Sequence, residues 1–374
     1  MLRFRRADHL RLGVAFPLLV WSVGGCGNDG NPEAANAVRQ VLDTDECPEC
    51  SIDLVEVARL GADDDSASIR PDVSVWPCMV ARFPDQRWAV SGLVGGGQIG
   101  VYDSGGSMVH TIGRFGQGPG EYGTDLHIVV ESDEVVLVAD NSYQRLTTLL
   151  DGEAVSTVHL PRRIQSLALL EGGQLLVHGR PSGLEGDSDD RFSVVDPDAG
   201  EVRSFGGVAT DLADQDQWVV SSGAHGGFWA ASGWKYELHR WAHADSLEYM
   251  LVRDGVDWFP MNNAPSDDMY VSEPPPSWLA HVWESSDGLL WTYSLVPDEE
   301  WAPGPPERPN PAWNERVLDT MVEVIETASG RVLAQLRFEN TLAPVCASDM
   351  MYTAEEVASG DVRVVVFQPR LVLR

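Results

Sequence analysis

Cations are scarce in this chain of 374 residues: Lys and Arg number 26 against 57 Asp and Glu, for a formal net charge of −31, and Lys235 is the single lysine. Binding a phosphate backbone takes clustered cations and the release of their counterions, so nucleic acid is excluded as a partner. The acids are dispersed, as in Asp63-Asp64-Asp65 and around Asp187, Asp189 and Asp190, and describe a solvated surface rather than a cation site. Long apolar runs are missing too; the best of them, residues 12–23, is shorter than the roughly 20 residues a membrane-spanning helix needs. Helical periodicity almost vanishes after residue 51. No GxSxG elbow, HExxH zinc motif or EF-hand loop occurs, which removes the commonest serine-hydrolase, metalloprotease and calcium-sensor signatures.

The short apolar run sits in an informative context. Arg3, Arg5, Arg6 and Arg11 precede or open it, and Val23-Gly24-Gly25-Cys26 follows, so that residues 1–25 resemble a bacterial lipoprotein signal ending in a lipobox. The expectation is a mature chain that begins at a lipidated Cys26, since two or more acyl chains hold a protein stably on a membrane where one does not. Gly27 stands where Asp would favour inner-membrane retention in some bacteria, so the outer membrane of the cell envelope is the expected address. Residues 26–50 are polar and acidic and read as a tether, interrupted by a short helix over 34–42.

Only five cysteines occur. With Cys26 lipidated, Cys47, Cys50, Cys78 and Cys346 remain, an even set suited to disulfides in an oxidising compartment, with three pairings open. Pairing Cys47 with Cys50 and Cys78 with Cys346 is preferred, because the last two lie near the beginning and end of the repeats described next. A tetracysteine zinc site would need two paired motifs, and Cys47-Pro48-Glu49-Cys50 is the lone CxxC.

From residue 51 onward, short β-branched and aromatic runs alternate with Gly, Asp and Pro, the pattern of an all-β fold. A strand, a tight Asp/Gly turn and a second strand recur over 99–113, 145–160, 192–205 and 322–338. Each unit reads as the outer hairpin of a propeller blade, and the spacing of about 40 to 60 residues suits four-stranded blades. Six blades are counted: 73–123, 124–161, 162–207, 216–256, 277–340, and 343–374 together with 51–60. In the last, strands from both ends of the chain pair, which removes the free edges an open array would leave. The fold class is therefore a six-bladed β-propeller over residues 51–374.

Gly113-Arg114-Phe115-Gly116-Gln117-Gly118-Pro119-Gly120-Glu121-Tyr122 resembles the G-[RK]-x-G-x-G-P-G-E-[FY] signature of bacterial six-bladed β-propeller lipoproteins. Asp140 to Leu146 resembles the Asp…Arg-Ile hairpin of NHL-type blades, with Arg145 and Leu146 in the last two places and the usual Asn before the arginine replaced. The resemblance covers residues 51–374 and implies fold and envelope location, not an activity.

Candidate chemistry is sparse. The loop of Gly116, Gly118, Pro119, Gly120 and Glu121 lacks phosphate-loop spacing and a following lysine, and Glu121 would repel an anion, so it is read as a structural passage between blades. His239 and His243 alternate as on a strand, about 13 Å apart, too far to share a metal. His225 and His281, with Asp140 and Asn141, are candidate contributors to an axial metal site such as Ca²⁺, but they are dispersed in sequence. Residues 257–278 and 297–316 depart most from blade grammar and carry Trp258, Phe259, Tyr270, Trp278, Trp301 and Trp313. These aromatics either pin the loops to the propeller or form a binding patch for an envelope protein, a peptide or a glycan. The sequence thus points to a monomeric, lipid-anchored, non-catalytic binding or scaffold propeller without a cofactor. The alternative is a metal-dependent propeller hydrolase or lyase.

Overall fold

The computed structural model describes residues 37–43, 47–61, 69, 78–181, 190–208, 217–244, 246–259, 273–302, 317–357 and 361–373. Cys26 and the signal segment, Tyr270 and Trp313 lie outside the described residues. Among the described residues there is no helix, and six antiparallel sheets follow one another along the chain. The six-bladed propeller expected from the sequence is the fold observed.

Blade 1 comprises Val80–Arg82, Trp88–Val90, Ile99–Tyr102 and Met108–Ile112. Blade 2 comprises Leu126–Val130, Val135–Asp140, Arg145–Leu150 and Glu153–His159, and blade 3 comprises Arg162–Leu169, Leu175–Pro181, Asp190–Val195 and Val202–Val208. Blade 4 holds Trp218–Ser222, Phe228–Ser232, Glu237–His243 and Ser246–Val252, and blade 5 holds Trp278–Glu284, Leu289–Pro297, Leu318–Glu326 and Arg331–Phe338. Within each, the first strand in sequence is innermost. The hairpins turn where the sequence places Asp and Gly: between Leu150 and Glu153, Asp151 and Gly152 both take positive φ, 52° and 79°, as a two-residue turn matched to strand twist requires.

Blade 6 closes the ring. Its three inner strands, Ala343–Pro344, Met351–Glu356 and Val362–Leu373, come from the C-terminal end, and the outermost, Cys50–Leu60, from the N-terminal end. The last two pair antiparallel from Val364 opposite Leu60 to Leu373 opposite Cys50. Pro369 is tolerated within this strand because the neighbour on its other side stops pairing at Phe367, so its missing N–H costs no ladder bond there. At the axis, Cys346 is joined to Cys78 and its N–H donates to the Val80 carbonyl at 2.8 Å, while the Ile128 N–H donates to Cys78 at 2.9 Å. Blades 6, 1 and 2 are thus stitched together at the inner ring.

The core fills the wedges between adjacent sheets. Between blades 3 and 4 it is aromatic: Phe192, Phe205 and Phe228 meet Trp218 and Trp241 at centroid distances of 5.6–6.3 Å, with Phe228 stacked on Trp241.

One expectation is corrected. Residues 37–43 are not helical: Ala37–Gln40 runs parallel to Ser246–Val252 at the rim of blade 4, and Leu42–Asp43 runs parallel to Arg331–Phe338 at the rim of blade 5. Val41 between them is buried, with its N–H donating to Val252 at 2.7 Å, and Leu42 N–H donates to Gly330 at 2.9 Å. Val38, Val41 and Leu42 have helix-like spacing, but two unpaired sheet edges offer the backbone partners that an isolated short helix cannot match. A second disulfide, Cys47 to Cys50, follows this strap directly.

Candidate functional site

Because every blade repeats one up-and-down order, all six inner strands start at the same end of the axis. That entry end carries a cavity of about 660 Å³, and the opposite, exit end one of about 700 Å³; Pro344 of blade 6 borders both.

The entry cavity has two unlike walls. On blades 2 and 3, Asn141 donates from Nδ2 to the Ile164 carbonyl at 2.8 Å and accepts the Ile164 N–H on Oδ1 at 2.7 Å. The orientation of the amide is thereby fixed, and its second Nδ2 hydrogen faces His127 Nε2 at 3.1 Å, which must therefore carry the lone pair. Asp125 Oδ1 lies 3.8 Å from the same Nε2, beyond hydrogen-bond distance, and Asp125 accepts from Arg163 Nη2 at 3.1 Å. Two polar links, Arg163 to Asp125 and Asn141 to Ile164, thus cross from one blade to the next, with His127 beside them and Arg180 also on the wall. The facing wall is apolar, built from Trp278, Leu279 and Leu295 of blade 5, Leu342 and Ala343 at blade 6, and Trp218 of blade 4.

At the exit end, Glu284 is buried and accepts the Ala224 N–H at 3.1 Å, with Arg240 Nε 3.9 Å away. The His281 imidazole stacks on Tyr293, centroids 5.7 Å apart, and desolvation pushes its pKa down to about 4, so the ring is neutral at pH 7.

The four residues considered for an axial metal do not converge. Asn141 borders the entry cavity and His281 the exit cavity, while His225 is exposed on the turn after the inner strand of blade 4. Asp140 is fully buried and accepts the N–H groups of Gly123 and Ser142, each at 3.0 Å, with Arg145 Nη2 at 3.5 Å. Among the described residues, no group of three or more His, Cys, Asp or Glu is placed to hold a metal ion. His239 is buried beside Trp218, 4.9 Å between centroids, and His243 is exposed.

The glycine-proline loop is a latch. Arg114–Phe115 pairs with Glu121–Tyr122, and Glu121 accepts from the Gly118 N–H at 2.8 Å and from Arg114 Nη2 at 2.7 Å. These donors hold its carboxyl below the usual carboxylate range, the Gly118 N–H foremost. Arg145 of blade 2 reaches across to donate to the carbonyls of Gln117, at 2.8 Å, and Glu121. Gly113 is required at its place: φ is +77°, and a Cβ would come within 2.6 Å of the Tyr122 ring. The Asp140–Arg145 hairpin and the loop are therefore parts of one inter-blade joint.

Of the loop aromatics, Phe259 is fully buried, edge-on to Tyr236 at 5.6 Å and to Trp258 at 5.8 Å, so both pin the chain to the core. Trp301 packs with Trp278 beside Leu295, Val317 and Leu318. Trp278 alone of these four borders the entry cavity. Unforeseen in the sequence is a buried cluster between blades 4 and 5, where Glu323 accepts from Tyr236 and Arg253, and the Tyr236 hydroxyl lies 3.0 Å from Thr292 Oγ1. Burial first, then the Glu323 charge, pushes the Tyr236 hydroxyl far above its ordinary pKa. In sequence the members are scattered, Thr292 and Glu323 within strands and Tyr236 and Arg253 just beyond strand ends, and strand alternation does not reveal a partner on another blade.

No family model and no curated protein matches the sequence. Solved structures do. A member of the DUF4221 family from Bacteroides vulgatus is similar over 86% of this chain and 99% of its own, with a TM-score of 0.59 and 11% identity. A Bacteroides fragilis protein described as exported is similar over 90% of this chain and 99% of its own, with a TM-score of 0.56 and 12% identity. At such identities the likeness is one of fold.

Proposed function

We propose that this chain is a lipid-anchored envelope propeller that binds, without catalysis, a partner segment at the entry end of its axis. The observation that carries the proposal is the asymmetry of the entry cavity: an indole-rich apolar wall faces a hydrogen-bonded polar wall bearing Arg163 and Arg180. Ligand sites are concave, largely apolar and oriented by a few placed polar groups. A peptide segment with an apolar face and an acidic or carbonyl-rich edge suits both walls, Trp278 taking the first and the arginines the second.

The anchoring half rests on the lipobox-like residues ending at Cys26.

Two measurements test the proposal. Replacing Cys26 with Ser should move the protein from the membrane to the soluble envelope fraction; unchanged fractionation defeats the anchor. Binding to an array of envelope-protein peptides should be lost on Trp278→Ala and on Arg163→Glu with the unliganded melting temperature retained; binding indifferent to both substitutions defeats the site.

A further inference from the structure

The exit cavity plays no part in that reading, and its chemistry is different. Arg82 ends the inner strand of blade 1 at the cavity wall. Its guanidinium lies over the Trp88 ring at 5.1 Å, its Nη1 is 3.8 Å from Met350 Sδ, and its Nε is buried without a hydrogen-bond partner. No carboxylate among the described residues comes within ion-pair distance of it, in a chain whose acids outnumber its cations two to one. A thioether and an indole face are poor substitutes for a counter-ion, and a partly buried guanidinium recovers most from a planar carboxylate that it can grip with two N–H groups.

The opposite charge lies beside it. Asp349, the residue before Met350, is on the same wall, held by Gln368 Nε2 at 3.0 Å and, among the described residues, in no ion pair with a cation. Ser221 Oγ, on the blade 4 side, is buried with no partner among the described residues, although its residue borders the cavity. Phe83, Leu167 and Trp283 supply apolar wall between these groups. An arginine and an aspartate that share a cavity without pairing leave room for a molecule bearing both charges.

We propose that the exit cavity is a second binding site, for a free α-amino acid with an apolar side chain. Its carboxylate sits on Arg82, its ammonium turns to Asp349 and its side chain lies against the Phe83 and Trp283 wall. Burying a zwitterion between two fixed opposite charges satisfies each of them, whereas a singly charged analogue leaves one unpaired, so discrimination between the two is strong.

The test is calorimetric titration with L-phenylalanine, N-acetyl-L-phenylalanine and L-phenylalanine methyl ester. The zwitterion should bind saturably at one site, and each blocked form should bind at least tenfold more weakly. Arg82→Gln should weaken L-phenylalanine at least tenfold, and Asp349→Asn should weaken L-phenylalanine while leaving the N-acetyl form unchanged. Trp278→Ala, at the other end of the axis, should leave all three unaffected, which separates this site from the entry cavity. Absence of saturable L-phenylalanine binding in the millimolar range, equal binding of the methyl ester, or indifference to Arg82→Gln overturns the proposal. Should a variant fail to keep its unliganded melting temperature, the two blocked ligands on the unaltered chain decide it.

Discussion

Asn141 holds Ile164 as a neighbouring strand would, accepting its N–H at 2.7 Å and donating to its carbonyl at 2.8 Å, although the two residues belong to different blades. The amide side chain thereby continues the backbone pairing of blade 2 into the inner strand of blade 3. Both partners are buried, so neither can turn to water if the other is removed.

Asn141→Ala should therefore lower stability by about 2–4 kcal/mol, since it strands a buried donor and a buried acceptor together. Urea unfolding should show the loss in the midpoint with the slope unchanged. Asn141→Asp should also destabilise, because a carboxylate cannot donate to the Ile164 carbonyl or to His127.

Removing the Cys78–Cys346 bridge should matter more than removing Cys47–Cys50. The first encloses 268 residues of sequence separation and joins the inner ring across the closure, whereas the second spans a separation of 3. On the chain-entropy view, Cys78→Ala with Cys346→Ala should cost about 5 kcal/mol and the other pair less than about 2 kcal/mol. Thermal unfolding of the two double variants measures the difference.

Acid should destabilise the protein through His281 before most carboxylates titrate. Burial holds its folded pKa near 4, below the ordinary 6.5, so between these values the unfolded state binds the extra proton. Its contribution is intact above pH 6.5 and declines as pH falls toward 4, by no more than about 3 kcal/mol. His281→Gln should flatten the stability profile between pH 6.5 and 5, where the lowered carboxyls of Glu121 and Asp196 do not yet titrate.

The strap should protect two sheet edges. Val41 is buried among Trp229, Leu238, Leu251 and Ile325, and Val41→Asp would place an unpaired charge there. Amide exchange should accelerate in Ser246–Val252 and Arg331–Phe338, and the released edges should promote association at high concentration. Unchanged exchange in both strands would show that the strap adds nothing to their protection.

Much of the ring was legible because its signals are local. Asp151-Gly152 can form a two-residue turn wherever it occurs, and the β-branched runs around it have few alternatives to strands. Closure was legible for a related reason: an unassigned strand at each end of a repeat array invites pairing. The helix expected over 34–42 failed on the same principle, since spacing within the segment says nothing of the free edges of blades 4 and 5. The joint of Arg145 with Gln117 and Glu121 was half legible, its loop marked by glycines and its clamp by nothing nearby.

The sequence by itself determined a lysine-poor, acidic, strand-and-turn repeat with both ends committed to one sheet, because charge, turn chemistry and alternation act over a few residues. Only the tertiary structure decided that His281 and Asn141 face opposite ends of the axis, that Arg82 shares a wall with Asp349, and that Glu323 meets Arg253. Each depends on which inner strands converge and how deeply their side chains are removed from water, and that is fixed by the packing of six sheets rather than by any stretch of chain.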